Sequence, residues 1–253
     1  MEAAGNYHTL VVNSDGEIWN CGSGAGAPGN TLGQIGSLTD WKRPTAGANR
    51  SGCVKTDGTL WMWGNNANGS LGDGTTTEEN SPIQIGSNTN WKIVTTGNQQ
   101  TLAVTTDGTL WGWGSNNLGQ LAQGNTTNYS SPVQIGSDTT WSHVHYSPRA
   151  NTSNALKTDT LWSFGSNGEG ILGVGNTTNY SSPVQVGSAS DWFDCLIGEM
   201  AAFGIRGSDN SGEWFSWGGG FEGGLGVGNQ NSYSSPVQVG SETDWIKCCG
   251  MAE

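Results

Sequence analysis

The sequence predicts an all-β fold, a five-bladed β-propeller of repeats about 50 residues long. Three observations predict it: two tryptophan-centred anchors recur at a fixed period, glycine and tryptophan are both abundant, and the two ends of the chain read as complementary fragments of one repeat. Fixed periods of this size mark repeat architectures, and four short strands per unit is the content of a propeller blade.

The first anchor is Ile/Val-Gly-Ser followed four positions later by Trp. Its tryptophans are Trp41, Trp91, Trp141, Trp192 and Trp245, spaced by 50, 50, 51 and 53 residues. The second is a turn followed by apolar-x-aromatic-Gly. Asp57-Gly58-Thr59-Leu60-Trp61-Met62-Trp63-Gly64 and Asp107-Gly108-Thr109-Leu110-Trp111-Gly112-Trp113-Gly114 are its clearest copies. The copies at Asp15–Gly22, Asp159–Gly165 and Gly212–Gly218 have drifted.

Each unit reads as four strands. An apolar run such as Lys92-Ile93-Val94 follows the anchor Trp, and Thr101–Val104 comes next. An Asp-Gly turn then leads into Leu110–Trp113, because Gly accepts the positive φ that a tight hairpin needs. The fourth strand is Ser131-Pro132-Val133-Gln134-Ile135, whose Pro suits a sheet edge, where a missing N–H costs little. The 42 glycines raise the entropy lost on folding, and 13 tryptophans, read as the core between blades, offset it.

The domain is expected to be a single propeller spanning residues 1–253. Its C-terminal Ile246-Lys247-Cys248-Cys249-Gly250 reads as a first strand with nothing after it, and Gly5–Val12 as a second strand lacking its first. Pairing the two would close the ring with one composite blade and hide two sheet edges that invite aggregation. The first copy has a short outer loop: Trp19 to Trp41 spans 22 residues, against 30 at the other copies, so one blade should be clipped.

The net charge is −12 and the nine Lys and Arg form no cluster, which disfavours nucleic acid and anionic membrane surfaces as partners. No apolar run is long enough for a transmembrane helix, and the N-terminus has no secretory pattern, so neither membrane insertion nor export by a signal peptide is expected. Cys21, Cys53, Cys195, Cys248 and Cys249 are odd in number and lack metal-type spacing. They read as small apolar residues of a chain made in a reducing compartment.

Chemistry-bearing patterns are sparse. His143-Val144-His145 puts two imidazoles on one strand face without a third ligand, and His8 occupies the strand slot of Gln100 as a structural residue. Asp73 between two glycines and Asn13–Glu17 read as turns rather than calcium loops. Asn125 and Asn176 begin Asn-x-Thr triplets that read as loop composition. The scattered carboxylates form no acid/base pair. No catalytic residue, metal site or cofactor is expected, and the protein is expected not to be an enzyme. One surface feature repeats: Asn128-Tyr129, Asn179-Tyr180 and Ser232-Tyr233. Equivalent positions lie on one rim of a ring, so Tyr129, Tyr180, Tyr233, Asn128 and Asn179 form a candidate partner-binding rim able to stack on and hydrogen-bond to a sugar or a protein surface.

These motifs, with Asn117-Leu118-Gly119-Gln120-Leu121 between strand and outer edge, resemble the regulator of chromosome condensation repeat family over nearly the whole chain. The resemblance implies a β-propeller. That family typically has seven blades, against sequence for five here, and the basic extensions of its exchange-factor members are not visible. Its activities on chromatin and small GTPases are therefore not carried over. The nearly charge-free Asn-Thr-Thr-Asn-Tyr-Ser-Ser-Pro style is similar to repeats of bacteria and their phages. The functional expectation is a non-enzymatic module of a phage virion (tail, fibre or capsid decoration) that contacts other virion proteins or a host-surface glycan. The alternative is a bacterial cytoplasmic propeller that binds or inhibits a soluble protein.

Overall fold

The computed structural model describes residues 1–24, 26, 29–146, 151–208 and 211–248. Among them, twenty strands form five antiparallel four-stranded sheets, one per repeat. Blade 1 comprises β1 (Glu2–Ala4), β2 (His8–Val12), β3 (Ile18–Gly22) and β4 (Gly29–Gln34). Blade 2 comprises β5 (Trp41–Ala46), β6 (Arg50–Lys55), β7 (Leu60–Gly64) and β8 (Glu79–Gln84). Blade 3 comprises β9 (Trp91–Thr96), β10 (Gln100–Thr105), β11 (Leu110–Gly114) and β12 (Tyr129–Gln134). Blade 4 has β13 (Trp141–Tyr146), β14 (Thr152–Lys157), β15 (Thr160–Gly165) and β16 (Tyr180–Gln185), and blade 5 has β17 (Trp192–Ile197), β18 (Ala201–Ser208), β19 (Ser211–Gly218) and β20 (Tyr233–Gln238).

The chain divides into two compact units. One is built on Met1–Asn116 and Thr127–Thr139, and the other on Asn117–Thr126 and the chain from Thr140 onward. Within each, adjacent blades bury an aliphatic face against a tryptophan face. Leu10, Val12 and Ile18 of blade 1 pack on Trp41, Cys53 and Trp63 of blade 2. Val54, Leu60, Met62 and Leu71 of blade 2 pack on Trp91, Ala103 and Trp113 of blade 3. In the other unit, Leu156, Leu161 and Ile171 of blade 4 pack on Trp192, Cys195 and Trp217 of blade 5. The anchor tryptophans meet their neighbours edge-to-face, Trp41 at 6.0 Å from Trp61 and Trp192 at 5.8 Å from Trp217, a geometry that adds to area burial. All six residues of β6 and of β10 are buried.

The glycine that closes each aromatic motif has a specific duty. Gly22, Gly114, Gly165 and Gly218 have φ between 97° and 111°. A Cβ at these positions would meet the backbone oxygen of Tyr7, Gln99, Asn151 or Met200 at 2.2 to 2.5 Å. The third strand therefore crosses the start of the second too closely for any other residue.

The first sheet departs from expectation. Its first strand is the chain's own Glu2–Ala4, with Glu2 opposite Val11 and Ala4 opposite Thr9, and not the C-terminal segment. Gly5 N–H donates to the His8 carbonyl at 2.9 Å, making a tight hairpin whose closure costs far less entropy than recruiting a distant strand. Ile246 to Cys248 form no strand, and Cys249 and Gly250 lie outside the described residues. Trp245 still behaves as an anchor. Its N–H donates to the Gly212 carbonyl at 3.1 Å, as Trp41 does to Gly16 and Trp91 to Gly58 at the same distance.

Candidate partner-binding surface

In each blade the hairpin joining the first two strands and the loop joining the last two lie at one end, and the turn joining the second and third strands, Asp-Gly in blades 1 to 3, lies at the other. The tyrosines of the expected rim sit at this loop end, as the first residues of fourth strands. Tyr129 pairs with Gly114, Tyr180 with Gly165 and Tyr233 with Gly218, each beside a register shift. All three are half-buried, and Tyr129 packs against the core between blades 2 and 3.

The loops between third and fourth strands are held by buried asparagines. Asn66 accepts from Leu71 N–H at 2.9 Å and donates through Nδ2 to Asp73 Oδ1 at 3.0 Å. Asn167 accepts from Leu172 N–H at 2.9 Å and donates to the carbonyls of Asn176 and Thr178 at 2.9 Å each. The leucine positioned this way is fully buried in both loops. Blades 1 and 5 carry Gly24 and Gly220 in place of this asparagine.

Asn128 and Asn179 serve the same loops. Their Oδ1 atoms accept from the N–H groups of Asn116 and Asn167, at 2.8 Å in both cases. The candidate asparagines thus hold the rim rather than present it. Asn176 and Asn229 pin the tyrosines: the Nδ2 of each donates to the hydroxyl of Tyr180 or Tyr233 at 3.0 Å, while its Oδ1 accepts a backbone N–H two residues on. Asn176 therefore has a structural duty that its reading as loop composition missed. The signal was the repeated Asn-x-x-x-Tyr spacing.

Two exposed apolar side chains at the loop end of blade 5 were also missed. Met200 and Phe221 are half exposed, and a Cβ on Gly219 would lie 2.9 Å from the Phe221 ring and 3.4 Å from Met200 Cβ. Their signal was the lapse of the loop pattern at Gly219-Gly220.

His143 is exposed and His145 half-buried on β13. Burial holds His145 below the ordinary histidine value, with nearby Asp194 acting against it and His143 reinforcing it. Among the described residues no group of three or more His, Cys, Asp or Glu could hold a metal ion. His8 is buried, with Nε2 2.9 Å from Ser51 Oγ. What the loop end can do is present tyrosine edges and hydroxyls at fixed positions, a combination suited to recognition.

A family model of the regulator of chromosome condensation (RCC1) repeat matches residues 57–104, 107–147 and 158–198, and a second model of that repeat matches 91–120. No curated protein sequence matches the chain. Human WBSCR16 superposes with a TM-score of 0.81 at 20% identity, over 95% of this chain and 66% of its own. Prp20p from Saccharomyces cerevisiae, described with its binding to Gsp1p and histones, gives 0.81 at 17% identity, over 95% and 63%. The structure of Kap60 bound to yeast RCC1 (Prp20) gives 0.80 at 17%, over 95% and 61%. The chain thus spans just under two thirds of the solved chains it matches, and these likenesses establish the fold.

Proposed function

Because the chain belongs to the regulator of chromosome condensation (RCC1) repeat family, we propose that it is a non-enzymatic interaction module that binds a protein partner with the loop end of its blades. The observation that carries this reading is the pinned tyrosine. Asn176 and Asn229 fix Tyr180 and Tyr233 by their hydroxyls, and the buried Asn167 fixes the loop before Tyr180. Side chains already held in place lose little entropy on binding, so their contacts convert efficiently into affinity. The similar yeast Prp20p is described as binding Gsp1p and histones, which supports a protein as the class of partner. The net charge of −12 favours a partner surface that is neutral or basic.

Affinity capture from the source organism tests the proposal, with Tyr180→Ala/Tyr233→Ala as the comparison. The native chain should retain one stoichiometric protein, and the double variant, with unchanged melting temperature, should lose it. Equal retention by both would move the interface off the rim. The finer reading places the module in a phage virion, on other virion proteins or a host glycan, against the bacterial cytoplasm with a soluble client. It is supported by the nearly charge-free loop style, and immunodetection of the chain in purified particles decides it.

A further inference from the structure

Blade 1 holds a second candidate site, independent of the tyrosine rim. In blades 2 and 4 the loop between the last two strands folds back and plugs the blade with a fully buried leucine, Leu71 or Leu172, and in blade 5 with Leu225. The third-strand residue beneath the plug supports it: Ser163 Oγ donates to the Leu172 carbonyl at 2.6 Å and Ser216 Oγ to the Leu225 carbonyl at 2.7 Å. The corresponding loop of blade 1 is shorter, and its sequence from Ser23 to Pro28 contains no large apolar residue that could plug. A cleft of about 400 Å3 opens along blade 1 and the outer edge of blade 2, lined among others by Asn20, Gln34, Leu38, Trp61, Asn80 and Ser81.

Asn20 occupies the place of Ser163 and Ser216 on β3. It is only 2% exposed, and its Nδ2 has no hydrogen-bond partner. Buried donors are nearly always satisfied, and the residue that carries this one lines the cleft. Gln34 points the same way. Its counterparts Gln84 and Gln134 donate to the carbonyls of Gly86 and Gly136 at 3.2 and 3.1 Å, whereas Gln34 makes no such bond. Asn80 and Ser81 add exposed amide and hydroxyl groups on the opposite wall. Apolar surface comes from the half-buried Trp61 and from Leu38, which is 48% exposed. No lining residue carries a charge.

The geometry points to a binding site for a neutral saccharide in the cleft that the short loop of blade 1 borders. A sugar ring offers oxygens around its perimeter for Asn20, Gln34, Asn80 and Ser81, and a C–H face for Trp61 and Leu38. The uncharged lining selects against phosphates, carboxylates and sulfates, which would lose hydration without a counter-charge. The size lies in the usual range of ligand clefts. An extended peptide presents its carbonyls along a line and suits a long groove, whereas the donor here sits at the floor of a compact one.

The test is saturation-transfer-difference NMR and calorimetry of the full chain with glucose, galactose, mannose, N-acetylglucosamine, maltose and lactose. Sialyllactose serves as the charged comparison and an uncharged proline-rich peptide as the rival ligand. At least one neutral sugar should bind saturably and better than its charged analogue. Gln34→Ala, at an exposed position, and Asn20→Leu should each weaken binding by on the order of tenfold. Replacing Ser23–Pro28 with the plugging loop of blade 2 should abolish binding while raising the melting temperature, which separates a filled cleft from a misfolded one. Absence of saturable binding to any neutral sugar overturns the proposal. So does binding that survives the loop replacement, or binding of the peptide alone.

Discussion

Replacing Asn167 with Ala removes the centre of the loop in blade 4. Its Oδ1 is the acceptor for Leu172 N–H, and its Nδ2 donates to two carbonyls. Both Asn167 and Leu172 are fully buried, so water does not reach the abandoned N–H, and one buried unsatisfied donor costs about 1–3 kcal/mol. The carbonyls of Asn176 and Thr178 lie nearer the surface and rehydrate at small cost, so the loss should total about 2–3 kcal/mol. For a chain of this size that corresponds to a drop in melting temperature of roughly 5–10 °C. Asn167→Asp is the sharper control. It keeps an acceptor for Leu172 N–H but points a carboxylate at two carbonyl oxygens, so it should destabilise at least as much. Calorimetry and circular dichroism of the three proteins check the values. A change for Asn167→Ala within about 0.5 kcal/mol, or a harmless Asn167→Asp, would refute the view that this asparagine builds the loop.

Further outcomes follow from other residues. Lys55 Nζ lies 4.5 and 4.4 Å from the ring centroids of Trp41 and Trp61 and 3.2 Å from Asp40 Oδ1, so Lys55→Met should cost about 1–2 kcal/mol in denaturant titrations. Burial lowers the His8 imidazole below its ordinary 6.5, so its stabilising contribution is present above that pH and is lost as pH falls toward the depressed value. His8→Gln should therefore flatten the decline of the melting temperature across that window. Thr158, a β-branched residue at φ 52° in the turn of blade 4, should give about 0.5–1 kcal/mol of added stability as Thr158→Gly. Burial pushes the Cys53 thiol up to about 12 and that of Cys195 well above its ordinary value, so native-state alkylation should label the half-exposed Cys21 and Cys248 well before either.

The blades were legible because each repeat states its constraints locally. The spacing of Trp41, Trp91, Trp141 and Trp192 fixes the period, and the glycine after each aromatic pair is demanded by a backbone crossing. The tyrosine positions were legible for the same reason. The roles of their neighbours were not. Asn128 and Asn179 look like surface polar residues in sequence, and only the fold shows their oxygens turned onto N–H groups twelve positions earlier. The pairing of β1 was misread because Glu-Ala-Ala carries no strand signal. Its three residues pair through hairpin proximity rather than propensity.

Blade 1 shows why a repeat's irregularity is informative. Its shortened loop carries Gly24 in place of the asparagine that holds the plug in blades 2 and 4, and lacks the leucine that would be one. A simple deletion would leave an apolar hollow lined by whatever faced the leucine. Here the buried floor is an amide, Asn20, and the facing strand carries Asn80 where the fourth strands of blades 3, 4 and 5 carry Ser130, Ser181 and Ser234. In those strands a loop glycine rests against the serine, with a Cβ added at Gly69 or Gly170 lying 2.5 to 2.6 Å from the Cα of Ser130 or Ser234, so a larger side chain there would compete with the loop. With the loop clipped that restriction lapses, and larger hydrogen-bonding groups occupy both walls of the opening. The same deletion thus has two consequences that mutation separates: restoring the plug should stabilise the blade, and should remove the hydrogen-bonding floor from reach of any ligand.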